Sequence, residues 1–142
     1  MIHLHHISLK NKDIRQEIFT RLGQSDYAPA VSGDVEAVEH EPSSIAEKID
    51  TDSYAGLPPY TTYIARTIFI HTIAYHQRLQ GIERTDLRLS MVGPSLDIGF
   101  IDDAAKKFVE ESGYLDLDKR DKVLRFLTDI NLNQLIRRES QR

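Results

Sequence analysis

The stretch from residue 60 to residue 79, YTTYIARTIFIHTIAYHQRL, decides the fold that this sequence predicts. Side chains at α-helical spacing share one broad face of it, made of Ile64, Ala65, Ile68, Phe69, Thr72, Ile73, His76 and Leu79. Gly81 follows closely and favours the end of a helix. The pattern predicts a long helix with a buried face, against which the neighbouring elements pack.

Two more helices are predicted after this one. Thr85 is a suitable N-cap residue and favours a short helix over residues 85–92. A turn at residues 93–95 separates it from a third helix, expected from residue 98 or 100 to residue 112 and ended by Gly113. The third helix has an apolar face, made of Ile101, Ala104, Ala105, Phe108 and Val109.

Apolar and polar residues then alternate in two short stretches. Residues 114–117 and 123–127 both show this alternation, which is typical of half-buried strands. Residues 118–121 are polar and lie between them, so the pattern predicts a β-hairpin. Asn131 is a candidate N-cap for a final helix.

Local signals are weaker before the long helix. A first helix is predicted over residues 13–22, a loop over residues 28–33, and a short capped helix over residues 44–50. The breaker-rich stretch 53–59 is the best candidate for a boundary. We therefore predict an N-terminal helical and loop segment over residues 1–57.

The predicted element order is helix, short helix, turn, helix and two-stranded hairpin. This order is typical of a winged helix, which is a helix-turn-helix with an added β-hairpin wing. The expected fold is thus mainly α with a small β-hairpin: a winged-helix domain over residues 58–142, preceded by a short helical segment. Its expected core residues are Ile68, Phe69, Leu89, Ala105, Phe108, Leu124 and Phe126.

Composition limits the class of protein. The 142 residues are 40% hydrophobic and 28% charged, which is ordinary for a globular chain. Cysteine is absent, which fits a reducing cytoplasm. No run of 18 apolar residues and no signal-peptide pattern are present, so we expect a cytoplasmic protein without a membrane partner.

The common catalytic and ligand-binding motifs are missing. The seven glycines are isolated, so the sequence contains neither a P-loop nor a dinucleotide-binding glycine motif. The sequence near His3, His5 and His6 contains no carboxylate or further residue at a spacing that would complete a metal site. We therefore interpret these histidines as adventitious or structural. The paired acids at 102–103 and 110–111 favour a solvated helix face over an acid/base dyad. We expect no catalytic residue, no cofactor and no metal site in this chain.

Charge is distributed unevenly along the chain. Residues 1–118 contain 11 Lys and Arg against 19 Asp and Glu, whereas residues 119–142 contain 7 against 3. The third helix has a net charge of −2, so it would be repelled by DNA. Six cations of the wing and tail are the candidate nucleic-acid-binding residues: Lys119, Arg120, Lys122, Arg125, Arg137 and Arg138. The alternative is a hairpin tip and tail kept soluble by charge.

Five short stretches together resemble a known family. They are AEKID (46–50), IARTIFIHT (64–72), LRLSMVGP (87–94), GYLD (113–116) and LRFLTDINLNQLI (124–136). In this order they are similar to a large family of predicted AAA-type ATPases. Members of that family are found beside DNA methyltransferases in prokaryotic restriction or phage-defence loci.

The resemblance covers about residues 45–138 and contains none of the family's catalytic motifs. It implies the C-terminal, non-P-loop portion of such an ATPase, or a stand-alone remnant of that portion. The implied function is that of a non-catalytic accessory module, which docks on an ATPase core of the same or a neighbouring chain and contacts the DNA backbone without sequence preference. The alternative is an independent winged-helix transcriptional regulator.

Overall fold

The computed structural model describes residues 7–38, 42–73, 81–91, 93, 96–118 and 123–129. Its α-helices are α1 (Lys12–Gln16), α2 (Ala28–Ala30), α3 (Ile45–Ser53), α4 (Tyr60–Ile73), α5 (Arg84–Met91) and α6 (Ile98–Glu111). Its strands are β1 (Ile82–Glu83), β2 (Leu115–Asp118) and β3 (Val123–Phe126). The expected class, mainly helical with a small sheet, is confirmed. The predicted final helix near Asn131 lies outside the described residues.

Helix α4 lies at the centre of the core. It packs against α3, α6 and β3. Most of its side chains are buried, including Ile64, Ile68 and Phe69, none of which is exposed to solvent. Phe69 and Phe108 both contact the ring of Phe126, with ring centroids 6.4 and 6.0 Å apart. The long helix is thereby confirmed from Tyr60 to Ile73, and its predicted extension to Leu79 lies outside the described residues.

The sheet is antiparallel, with the strand order β1-β3-β2. The β2–β3 pairing places Leu115 opposite Phe126, which confirms the predicted hairpin. The two-residue strand β1 was not predicted, because it is too short to show an alternation. It follows Gly81, whose φ is 113°. A Cβ atom at Gly81 would lie 2.3 Å from the carbonyl oxygen of Leu124, so only glycine permits this close approach of the two backbones.

Helix α5 differs from its prediction in two respects. It begins at Arg84, so Thr85 lies inside the helix and is not its N-cap. Leu89 is 65% exposed, and its expected place in the core is wrong. Leu87 and Met91 are the buried residues of α5. These two are four residues apart and share one face, whereas Leu89 lies about 200° around the helix from Leu87.

Helix α6 begins as expected, but it ends differently. Asp97 is its N-cap and accepts hydrogen bonds from the backbone N–H groups of Gly99 and Phe100. Its C-cap is Ser112, in an extended conformation, and Gly113 does not adopt the positive φ expected of a terminating glycine. Asp34 instead stabilises the turn that follows α6, because its carboxylate accepts hydrogen bonds from the Ser112 hydroxyl and from the Tyr114 backbone N–H.

The N-terminal segment contains more helix than expected. The predicted first helix is present as α1 and a π-helical turn, Glu17–Arg21. Residues 28–33 were expected to form a loop, but they lie in α2 and a second π-helical turn, Val31–Val35. Pro29 misled the prediction, because proline is tolerated in the first turn of a helix, where it lies here.

Helix α3 begins with the predicted capping signals. The Ser44 hydroxyl accepts a hydrogen bond from the Glu47 backbone N–H, and the Glu47 carboxylate accepts one from the Ser44 backbone N–H. These reciprocal bonds satisfy two donors at the start of the helix. The predicted short helix is confirmed, and it extends to Ser53.

The core crosses the breaker-rich stretch that suggested a boundary. One hydrophobic cluster contains Leu9, Val31 and Val35 together with Ile64 and Phe69. The sequence division near residue 58 therefore separates two parts of the chain that share one core.

A buried ion pair also joins these two parts. The Glu36 carboxylate is buried and accepts two hydrogen bonds from the Arg66 guanidinium, at 2.7 and 2.9 Å. Glu36 also accepts a hydrogen bond from the Leu9 backbone N–H at 2.8 Å. The Arg15 side chain donates to the backbone carbonyl of Glu36. These contacts fix the parts of the chain around Leu9 and Glu36, both of which precede α3, to helix α4.

Phe108→Ala should destabilise the protein by about 3–5 kcal/mol, because it leaves a cavity where a fully buried ring packs against Phe126. Urea unfolding followed by circular dichroism measures the change. Leu89→Ala is the matched control and should change the unfolding free energy by less than about 0.5 kcal/mol, because Leu89 is exposed. Equal losses in the two variants would contradict the core described above.

Glu36→Gln should destabilise the protein by about 3–5 kcal/mol, because it leaves the Arg66 charge without its carboxylate in a largely buried site. Glu17→Gln removes one acid from the exposed Glu17–Arg21 pair and should cost less than about 1 kcal/mol. The same unfolding measurement compares the two. A loss below 1 kcal/mol for Glu36→Gln would show that this ion pair does not hold the N-terminal segment.

Candidate functional site

Five of the six candidate nucleic-acid-binding cations lie outside the described residues: Lys119, Arg120, Lys122, Arg137 and Arg138. Arg125 lies on β3, directly opposite Asp116 of β2. Its guanidinium donates a hydrogen bond to the Asp116 carboxylate at 3.1 Å, and both side chains are about one third exposed. Arg125 therefore has an acidic partner on the neighbouring strand, which reduces the positive charge it presents.

The acids at the start of α6 are engaged by different partners. Two guanidinium nitrogens of Arg88 donate to the two oxygens of Asp102. The Tyr54 hydroxyl donates to Asp103 at 2.6 Å, and Lys107 forms an ion pair with Asp103 at 3.1 Å. Asp102 and Asp103 therefore do not form a carboxylate pair that shares a proton.

These contacts also affect protonation. The hydrogen bond from Arg88 lowers the pKa of Asp102, and the hydrogen bond from Tyr54, followed by that from Lys107, lowers the pKa of Asp103. Burial and the Asp103 carboxylate raise the pKa of the Tyr54 hydroxyl. Both acids are therefore ionised at neutral pH and hold no proton for general acid catalysis.

A polar surface pocket lies between α5 and α6. It has a volume of about 430 Å³ and is lined by Arg84, Thr85, Arg88, Asp102 and Lys106. Sequence reasoning missed this site, since its cations come from two helices about twenty residues apart. The i, i+4 spacing of Arg84 and Arg88 on one short helix was the available signal. Only the packing of α5 on α6 adds Lys106.

A second pocket, also of about 430 Å³, lies between α3 and α6. Its lining includes the apolar residues Ile45 and Ile49 and the charged residues Lys48, Lys107 and Glu111. Lys107 donates to the Ser53 hydroxyl at 3.2 Å, so it joins the two helices across the groove. The mixed lining offers no convergent set of polar groups.

Two polar residues of the stretches that resemble the ATPase family are engaged within the fold. Asp50 accepts hydrogen bonds from the backbone N–H groups of Thr61 and Thr62, at 2.8 and 3.0 Å. It therefore caps the first turn of α4, whose N–H groups have no acceptor inside the helix. Arg66 binds Glu36. Both residues thus contribute to holding α4 in place.

Nothing in the described part of the chain resembles a metal centre. The Nδ1 atom of His71 lies 2.9 Å from the Thr67 carbonyl oxygen, within the same helix. Among the residues that the structure describes, no group of three potential metal ligands comes together. His3, His5, His6 and His76 lie outside them. Within the same described ranges, no helix has both the length and the apolar character to cross a bilayer.

Comparison of the chain with protein-family models, with curated proteins and with solved structures finds no match. The resemblance over residues 45–138 therefore stays a prediction from the sequence. The fold and the two pockets are the observations from which a function can be argued.

Proposed function

We propose that this chain is a non-catalytic accessory module with a winged-helix fold, which serves a DNA-associated ATPase of the restriction or phage-defence type. It docks on the ATPase core, in the same or a neighbouring chain, and contacts the DNA backbone without sequence preference.

The order of the elements supports the winged-helix assignment. Helices α4, α5 and α6 are followed by the β2–β3 hairpin, as in a helix-turn-helix with a wing. Strand β1 lies between α4 and α5 and pairs with β3, so the hairpin is fixed to the helical part by a third strand. The Thr72 hydroxyl oxygen accepts a hydrogen bond from the backbone N–H of Phe126, which joins α4 to the hairpin.

The negative charge of α6 is the observation that supports a role in which this helix does not read the DNA sequence. In a DNA-reading winged helix the third helix enters the major groove and contacts base edges. Here α6 contains four acids and two lysines. Asp103 already binds one of those lysines, Lys107. A helix of this charge opposes the phosphates on both sides of the groove, which disfavours the alternative of an independent sequence-reading regulator.

The ATPase part of the proposal rests on the resemblance of residues 45–138. The short motifs occur in the family's order, and the chain contains no P-loop of its own. A module of this kind needs a core that binds nucleotide elsewhere. The groove between α3 and α6, which is lined by both apolar and charged residues, has the mixed character of a transient protein contact.

The isolated chain should neither bind ATP tightly nor hydrolyse it, because it has no glycine-rich phosphate loop with the lysine and magnesium ligands that phosphoryl transfer uses. Isothermal titration calorimetry with ATP and Mg²⁺ should give no micromolar binding. A P-loop core encoded in the same or the adjacent reading frame is the positive control, and this chain should bind that core. Micromolar ATP binding to this chain alone would refute the non-catalytic role.

Replacing Arg120 and Lys122 with Ala should weaken binding to all duplexes alike, because both side chains belong to the proposed phosphate-contacting wing. The slope of log affinity against log salt should fall by about one unit for each lost contact. Fluorescence anisotropy with two duplexes of unrelated sequence measures both effects. A preference between the two duplexes would favour the regulator hypothesis, and no binding even at low salt would leave only protein docking.

A further inference from the structure

The pocket between α5 and α6 is lined mainly by cationic side chains. Arg84, Arg88 and Lys106 contribute three positive charges, Asp102 contributes one negative charge, and Thr85 adds a hydroxyl. Within the described residues neither Arg84 nor Lys106 forms a salt bridge. The site therefore has a net charge of +2 on a chain whose overall charge is −4.

The local backbone adds to this positive character. Arg84 and Thr85 lie in the first turn of α5, an eight-residue helix. The first N–H groups of a helix have no acceptor inside it, and the helix dipole favours an anion at that end. Asp86 lies in the same turn, but it does not line the pocket. The cationic side chains and the N-terminal end of α5 therefore both favour an anion in this pocket.

The lining residues indicate which anion fits. Arginine presents a planar fork that matches the geometry of phosphate oxygens, and lysine adds a point charge. None of the five lining residues is aromatic, so the pocket has no ring on which a nucleobase could stack. The three cations and the hydroxyl favour the phosphate group of a nucleic acid over its bases.

We propose that the α5–α6 pocket is a phosphate-binding site, in which Arg84, Thr85 and Lys106 bind a phosphodiester of the nucleic-acid backbone. This inference rests on the proposed function and deepens it, because it assigns a second backbone contact beside the wing. It also explains how a helix with a net negative charge can lie near DNA: its acids are outweighed locally, on the side that faces α5.

Asp102 sets the strength of this site. It binds Arg88 through both carboxylate oxygens and so withdraws one of the three cations from the pocket. Its carboxylate also repels an incoming phosphate. Asp102→Asn keeps the shape of the side chain but removes the negative charge, so the affinity of the pocket for phosphate should rise. A purely structural role for Asp102 would not produce such a gain.

The test uses fluorescence anisotropy with a labelled 30-base-pair duplex over a range of salt concentrations. Lys106→Ala and Arg84→Ala should each weaken binding by roughly tenfold at 50 mM salt and reduce the salt slope by about 0.9. Asp102→Asn should strengthen binding by about two- to fivefold. Urea unfolding midpoints of all variants show whether each remains folded.

Two lysine variants of the same charge change serve as controls. Lys107→Ala removes the adjacent lysine of α6, which binds Asp103 and lines the groove on the α3 side of the helix. Lys12→Ala removes an exposed lysine of α1. Both should leave the salt slope unchanged. If all four lysine and arginine variants behaved alike, net charge alone would explain the effect and the pocket would be refuted.

Titration with inorganic phosphate separates this inference from the proposed function. In a ¹H–¹⁵N spectrum, phosphate should shift the Thr85 backbone signal and the Arg84 side-chain signal, and Lys106→Ala should abolish the shifts. If the pocket bound phosphate but the protein did not bind DNA, the phosphate site would be supported and the proposed contact with DNA would be refuted. DNA binding that is lost with Arg120 and Lys122 but unaffected by Arg84 and Lys106 would keep the proposed function and refute the pocket.

Discussion

A buried carboxylate is the constraint on which the arrangement of this protein depends. Glu36 is 1% exposed, and a charge in that position is stable only when it is paired and hydrogen-bonded. Arg66 supplies the opposite charge through two hydrogen bonds, and the Leu9 backbone supplies a third donor. Because Arg66 lies on the central helix α4, the requirement fixes the N-terminal segment against the rest of the molecule.

Two further acids of the N-terminal half act in the same way. Asp34 accepts hydrogen bonds where α6 ends and β2 begins, and Asp50 accepts them at the first turn of α4. In each case a carboxylate satisfies backbone donors that have no acceptor within their own helix or turn. Some of the acidic residues of the N-terminal half therefore stabilise helix ends and turns in the C-terminal half.

The consequence for function is a separation of charges. On α6, Asp103 is engaged by Tyr54 and Lys107, which lie toward α3. On the side toward α5, Arg84, Arg88 and Lys106 face one carboxylate, that of Asp102. The net charge of the helix, taken from the sequence, hides this asymmetry, because it adds together residues that face different neighbours. Phosphates respond to the local charge at short range, since salt screens the rest.

Sequence by itself determined the features that depend on neighbours along the chain. The face of α4, the capping box of Ser44 and Glu47, and the alternation in β2 and β3 could all be predicted, since each is a local pattern of burial or hydrogen bonding. The end of α6 could not, because Gly113 is a suitable terminator but a distant carboxylate, that of Asp34, holds the turn.

Only the tertiary structure decided which residues meet across elements. Strand β1 exists because β3 pairs with Ile82 and Glu83, just after the close backbone approach at Gly81, and not because these two residues favour a strand. Leu87 and Met91 are buried and Leu89 is exposed because α4 and α6 pack against one side of α5, and an apolar residue alone does not indicate which side that is. The cationic pocket likewise required α5 to pack on α6, since no pattern along the chain brings Lys106 to Arg84.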